Sequence, residues 1–72
     1  MKLFVDNNCE GIVVEVSSLS VHNSLTFCTV KNNTQLQNEL LKLVKKGFVS
    51  SFETRDTEIK IAFFTKYVQE IA

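Results

Sequence analysis

Proline and tryptophan are both missing from these 72 residues, glycine occurs only at Gly11 and Gly47, and eight Lys+Arg balance eight Asp+Glu. Each scarcity excludes something. Cys9 and Cys28 are the whole cysteine complement. That is too few for the disulfide frameworks of small secreted domains, so two free thiols in a reducing compartment are expected, with one structural bridge as the alternative. His22 is the only imidazole, so a four-ligand zinc site lacks its usual donors. No apolar run approaches the roughly 20 residues that span a bilayer. Lys2, followed by a short apolar stretch broken at Asp6, Asn7 and Asn8, has the form of neither a signal peptide nor a transit peptide. Balanced charge removes any global pull towards nucleic acid, which leaves such contact to a local patch. No membrane, cofactor, metal or small-molecule substrate is expected.

What is present is an ordinary globular composition, 44% hydrophobic and 22% charged, across residues 1–72. It supports one domain. A chain this short buries only about 60% of its unfolded surface and leans towards a partner or an assembly.

The clearest predicted element is a helix from Gln35 to Lys46. Thr34 and Gln37 have the spacing of a capping box, and Leu36, Leu40, Leu43 and Val44 form an apolar stripe that Leu41 widens. Gly47 stands where a left-handed C-terminal cap is wanted, behind two lysines that suit the negative end of the helix dipole. A hairpin follows. Phe48, Ser50 and Phe52 alternate with Val49, Ser51 and Glu53; Arg55, Asp56 and Thr57 form the turn; Ile59, Ile61 and Phe63 alternate with polar neighbours on the return. Leu25 to Val30 reads as another strand, with imperfect alternation. The first third is divided. Ile12, Val16 and Leu19 have helical spacing, with Asn7 and Glu10 as a possible cap, whereas Gly11 and the run Ile12-Val13-Val14 favour a strand.

The stretch Leu40-Leu41-Lys42-Leu43-Val44-Lys45-Lys46-Gly47-Phe48-Val49, then Phe52, Ile59-Lys60-Ile61-Ala62-Phe63 and a closing Lys66-Tyr67, resembles the N-terminal domain of small-subunit ribosomal protein eight. Val21-His22-Asn23-Ser24 is similar to the end of that family's first helix, and Lys31-Asn32-Asn33-Thr34 stands where it has a turn before the second. The family's second domain, with its Ser-Thr-Ser-rich loop, has no counterpart here. The resemblance implies an α+β fold, α-β-α-β-β, with two helices packed on one face of a three-stranded sheet, the first third becoming the first helix. It also implies a structural component of the small ribosomal subunit, mitochondrial or otherwise cytoplasmic, whose partners are ribosomal RNA and neighbouring ribosomal proteins.

Candidate RNA-binding residues on this reading are Lys31, Asn32, Asn33, Thr34, Lys42, Lys45, Lys46, His22 and Asn23, with Arg55 as a further phosphate contact. Lysines position a phosphate backbone without reading its sequence, and the amides opening a capped helix at Asn33 to Gln35 favour an anion. Phe64 and Tyr67 fall outside the hairpin's inward register and are candidates for a protein contact. Phe48, Phe52 and Phe63 are assigned to the core rather than to a base-stacking platform. Glu53, Asp56 and Glu58 lack the glycine and spacing of a calcium loop and read as a solvated hairpin tip. Neither His22 nor Cys28 has a catalytic context, so no enzyme is expected. Two other readings compete: a winged-helix-like DNA-binding module using the 35–46 helix, and a viral or regulatory protein-binding module using a sheet edge or the Phe64/Tyr67 surface.

Overall fold

The computed structural model describes residues 2–6 and 11–71. Six strands form one antiparallel sheet: β1 (Lys2–Asp6), β2 (Gly11–His22), β3 (Leu25–Lys31), β4 (Val49–Thr54), β5 (Glu58–Phe64) and β6 (Val68–Ile71). One helix, α1 (Thr34–Lys46), lies between β3 and β4, and a 3₁₀ turn, Thr65–Tyr67, joins β5 to β6. The strand order is β4-β5-β3-β2-β1-β6. This replaces the expected two helices on a three-stranded sheet: the first third is strand, and the described residues hold a single α-helix. Asn7 and Glu10, the expected cap, lie outside the described residues, as does Cys9.

A flat sheet is impossible with this connectivity. Phe64 pairs with Leu25 on β3, which faces His22 on β2, whereas Val68 pairs with Val5 on β1, which faces Ile12. In a flat sheet these ends would stand four strand spacings apart, about 19 Å, and would also be offset by about 33 Å along β2. Four Cα steps reach no more than about 14 Å even when fully extended. β2 must therefore bend, and its register shifts between Val16 and Ser18. The extra residue there, Ser17, makes a bulge, which bends a strand and increases its twist.

Bending β2 splits the sheet into two halves that enclose one core. Leu3, Val5, Val14 and Val16 come from one half, Cys28, Val30, Ile59, Ile61 and Phe63 from the other, and α1 contributes Leu40 and Leu43. On the opposite face of the first half, the Phe4 ring covers Gly11, where a Cβ would lie 2.2 Å from two ring carbons. A second bulge at Ser50 puts Val49 and Phe52 on the inner face, opposite Phe63 and Ile61. The predicted alternation, with Phe48, Ser50 and Phe52 on one face, is corrected by that extra residue. Phe48 is instead buried just after the helix cap.

The helix was legible, but its cap is one residue earlier than the spacing suggested. Asn33 is the N-cap, and its side chain accepts a hydrogen bond from the Leu36 N–H at 3.1 Å. Gln37 does not close a capping box; its Nε2 donates to Asn32 Oδ1 at 2.6 Å. At the other end, Gly47 has φ 86°, with its N–H on Val44 O and the Phe48 N–H on Leu43 O. That bond pair satisfies two terminal carbonyls and hands Phe48 to the core. Asn33→Ala is expected to cost about 1 kcal/mol of stability, as for other lost N-caps. Thr34→Ala, at an exposed position, is expected to stay within about 0.5 kcal/mol. Urea denaturation of the two variants separates the assignments; a larger loss for Thr34→Ala would overturn the Asn33 cap.

Candidate functional site: a basic end and an open sheet face

The predicted RNA-binding residues fall at two opposite ends of the fold. β3 runs from Leu25, beside the β2–β3 turn, to Lys31, opposite Glu58, a span of about 20 Å. Lys31, Asn32, Asn33 and Thr34 occupy the far end, where Asn32 and Asn33 make structural hydrogen bonds. Asn32 Nδ2 donates to Arg55 O at 3.0 Å and Asp56 O at 3.3 Å, and the Asn32 N–H donates to Thr57 O at 3.1 Å. Asn32 thus ties the β4–β5 turn to the helix start, and Asn33 spends its carboxamide on the cap. At the expected anion site the chain's own Asn33 carboxamide takes the Leu36 N–H. Arg55 lies 3.0 Å from Glu53, and this end also carries Asp56 and Glu58, so its charges are mixed. Among the described residues no cluster of His, Cys, Asp and Glu could hold a metal ion.

The other end is different. The last turn of α1 brings Lys45 and Lys46, which are exposed. Directly behind them Phe48 packs edge-on against Tyr67, with ring centroids 4.6 Å apart and planes at 70°. Lys66 Nζ stands 5.1 Å from the Tyr67 ring centroid. The Thr65 N–H donates to Ser24 O at 2.8 Å, and the Thr65 and buried Thr26 hydroxyls share a hydrogen bond of 2.9 Å. These bonds fasten the 3₁₀ turn to the β2–β3 turn, which carries exposed His22. Segments 22–25, 43–49 and 64–67 contain three lysines and one histidine and no Asp or Glu. Lysines and the one histidine are thus gathered on adjoining segments of a chain whose net charge is zero.

Several assignments change with this geometry. Asn23 adopts φ 60° in the tight turn between β2 and β3, a conformation asparagine tolerates well, so it has a structural role there. The Val21–Ser24 stretch, expected as a helix end, is that hairpin turn. Lys42 lies 3.7 Å from Glu39 one turn before the basic end. Tyr67 is half-buried and packs against the core, while Phe64 is half-buried on the outer face of β5. Cys28 is buried, and burial pushes its thiol up to about 12. It therefore stays protonated at neutral pH.

Nothing in the sequence alone singles out Lys66 or Phe27. Lys66 was visible only as part of a closing Lys-Tyr pair; its cationic role depends on the 3₁₀ turn. Phe27 sits on the outer face of β3, 42% exposed, between Ser20 of β2 and Ala62 of β5. That face forms a shallow groove of about 450 Å³ lined by Phe27, Ala62, Ser20, Ser51, Glu53 and Lys60. No helix among the described residues is long and apolar enough to cross a membrane. In comparisons with known proteins, the chain matches no family model, no curated protein and no solved structure.

Proposed function

We propose that this chain is a non-catalytic RNA-binding protein that docks its Lys45, Lys46, Lys66 and His22 end on the phosphate backbone. The supporting observation is the placing of charge: in a neutral protein, exposed Lys45, Lys66 and His22 lie on three segments that adjoin through the Phe48–Tyr67 ring contact and the Thr65–Ser24 hydrogen bond. Phosphate binding needs positive charge and donors within reach, and it adds a salt-dependent affinity that requires no base readout. The α-β-α-β-β order that suggested a ribosomal protein is not the order of this chain. The proposal accordingly specifies RNA phosphate as the ligand, with the small ribosomal subunit as the first assembly to test. A DNA-reading helix is disfavoured, since α1 contributes Leu40 and Leu43 to the core and pairs Lys42 with Glu39.

The test is fluorescence anisotropy with a labelled RNA of mixed sequence at several salt concentrations. The double variant Lys45→Glu, Lys66→Glu is expected to bind at least about tenfold more weakly at low salt. The slope of log K against log salt is expected to fall by about 2, one for each lost phosphate contact. Its circular dichroism should match the wild type, because Lys45 and Lys66 are both exposed. Unchanged affinity and slope would overturn the assignment of the basic end. Sedimentation of native lysate with and without nuclease addresses the assembly. Nuclease-sensitive co-migration with the small subunit supports a ribosomal place, and a peak at the top of the gradient under all conditions removes it.

A further inference from the structure

Resting on the RNA reading, we propose that the outer-face groove over Ala62 receives an unpaired base of a single-stranded RNA whose phosphates lie on the basic end. Phe27 carries the argument. It is an aromatic residue on an interior strand of the sheet, yet its ring is turned away from the core and its neighbours on both sides are among the smallest available, Ser20 and Ala62. A phenylalanine placed for packing gains most from a bulky cross-strand neighbour. Here the small neighbours leave Phe27 42% exposed beside a buried Ala62, and the space at the groove, about 450 Å³, falls within the roughly 300–1,000 Å³ of small-molecule sites. A planar base stacks on an aromatic ring whatever its identity.

The polar lining suits the same occupant. Ser20, Ser51 and Lys60 supply donors at the groove. Glu53, opposite Lys60 in the strand register and 3.0 Å from Arg55, supplies an acceptor for an exocyclic amino group with its charge already compensated. The outer face then runs without interruption towards the basic end. After Phe27 and Ala62 come the paired Leu25 and Phe64, with His22 beside Leu25, and Lys66 follows Phe64 by two residues. A strand laid along β3 and β5 would therefore meet a stacking ring first and cations next. A duplex, whose bases are already stacked, could use only the cations. The groove thus adds a preference for single strands to a basic end that binds phosphate of either kind.

The experiment compares a fluorescein-labelled single-stranded RNA 12-mer of mixed sequence with a duplex of the same length, by anisotropy. It uses the wild type, Phe27→Ala, Phe27→Tyr and the Lys45→Glu, Lys66→Glu variant. Phe27→Ala is expected to weaken single-strand binding about tenfold, the scale of one lost stacking contact, and to leave duplex binding unchanged. Phe27→Tyr should retain wild-type affinity because it keeps the ring. Thermal denaturation checks that each variant is folded. If Phe27→Ala binds the single strand as tightly as the wild type while charge reversal weakens both RNAs, the groove assignment falls and the basic end stands. If the wild type binds neither RNA, the RNA reading and the groove fall together. Self-association that Phe27→Ala abolishes, with no change in RNA affinity, would give this face to a second copy of the chain and likewise overturn the proposal.

Discussion

Phe63→Ala is expected to remove most of the stability of this protein. Phe63 is 0% exposed, on the inner face of β5, opposite Thr26 of β3 and Val49 of β4. It is among the largest fully buried side chains and lies where the strand half of the core meets the bulged start of β4. Truncating a buried phenylalanine costs about 3–5 kcal/mol, because the lost transfer free energy is joined by an unfilled cavity. The typical range of 0.05–0.15 kcal/mol per residue puts the total for 72 residues at only about 4–11 kcal/mol. Urea denaturation should show a large fall in midpoint with little change in slope, or no folded baseline at all. A loss below about 1 kcal/mol would mean that the inner face of β5 has been misassigned.

Deleting Ser17 should be at least as damaging, for a different reason. Val16 faces Val30, and Ser18 faces Thr29, so between Val16 and His22 only Ser17 has no counterpart on β3. Its removal would preserve the alternation, with Val16 and Leu19 still inward and Ser18 outward. What disappears is the bulge at the bend of β2. Without that bend, the short link from Phe64 to Val68 cannot deliver β6 to β1, and the two halves of the sheet cannot close on a common core. The deletion variant is expected to lose its cooperative unfolding transition and the dispersion of its amide NMR spectrum. Ser17→Ala is the control. It keeps the extra residue and forfeits only the exposed hydrogen bond from Ser17 Oγ to Thr29 O, 3.2 Å long, at about 1 kcal/mol or less. A deletion variant melting at the wild-type temperature would overturn the account of how the sheet closes.

That same residue explains why the first third of the chain reads as a helix. Ile12, Val14 and Val16 alternate along one face, and after the extra residue the inward face resumes at Leu19. Skipping Val14, the spacings from Ile12 to Val16 and from Val16 to Leu19 become four and three, the signature of a helix. The β-branched run Ile12-Val13-Val14 carried the correct local signal. The family resemblance then favoured the helix, because it compared an order of elements and supplied its own first element. The second bulge had a similar effect on β4, where Val49 and Phe52, three residues apart, share the inner face. Bulges are hard to read in a sequence because each is one unremarkable serine.

The site was legible only in part, for electrostatic and topological reasons. Lys45, Lys46 and His22 were all singled out, but chain order gave no means of separating them from Lys31 to Thr34 at the far end of β3. Lys66 joins them through the 3₁₀ turn, and Phe27 becomes a surface ring only because the register with Ser20 and Ala62 fixes its face. Net charge misled in the same way: a sum over the sequence is blind to the separation of its parts.

By itself the sequence determined the local features of this protein. Helix α1, its glycine cap and the inward face of Ile59, Ile61 and Phe63 follow from periodicities and backbone preferences that act over a few residues. The tertiary structure alone decided the rest: among the described residues, six strands in place of three and a single α-helix, with Lys45, Lys66 and His22 brought onto adjoining segments and Phe27 turned to the outer face. These depend on which strands pair and on a bend in β2 imposed by the reach of a three-residue connection, and such long-range constraints leave no mark on the residues next to them in the chain.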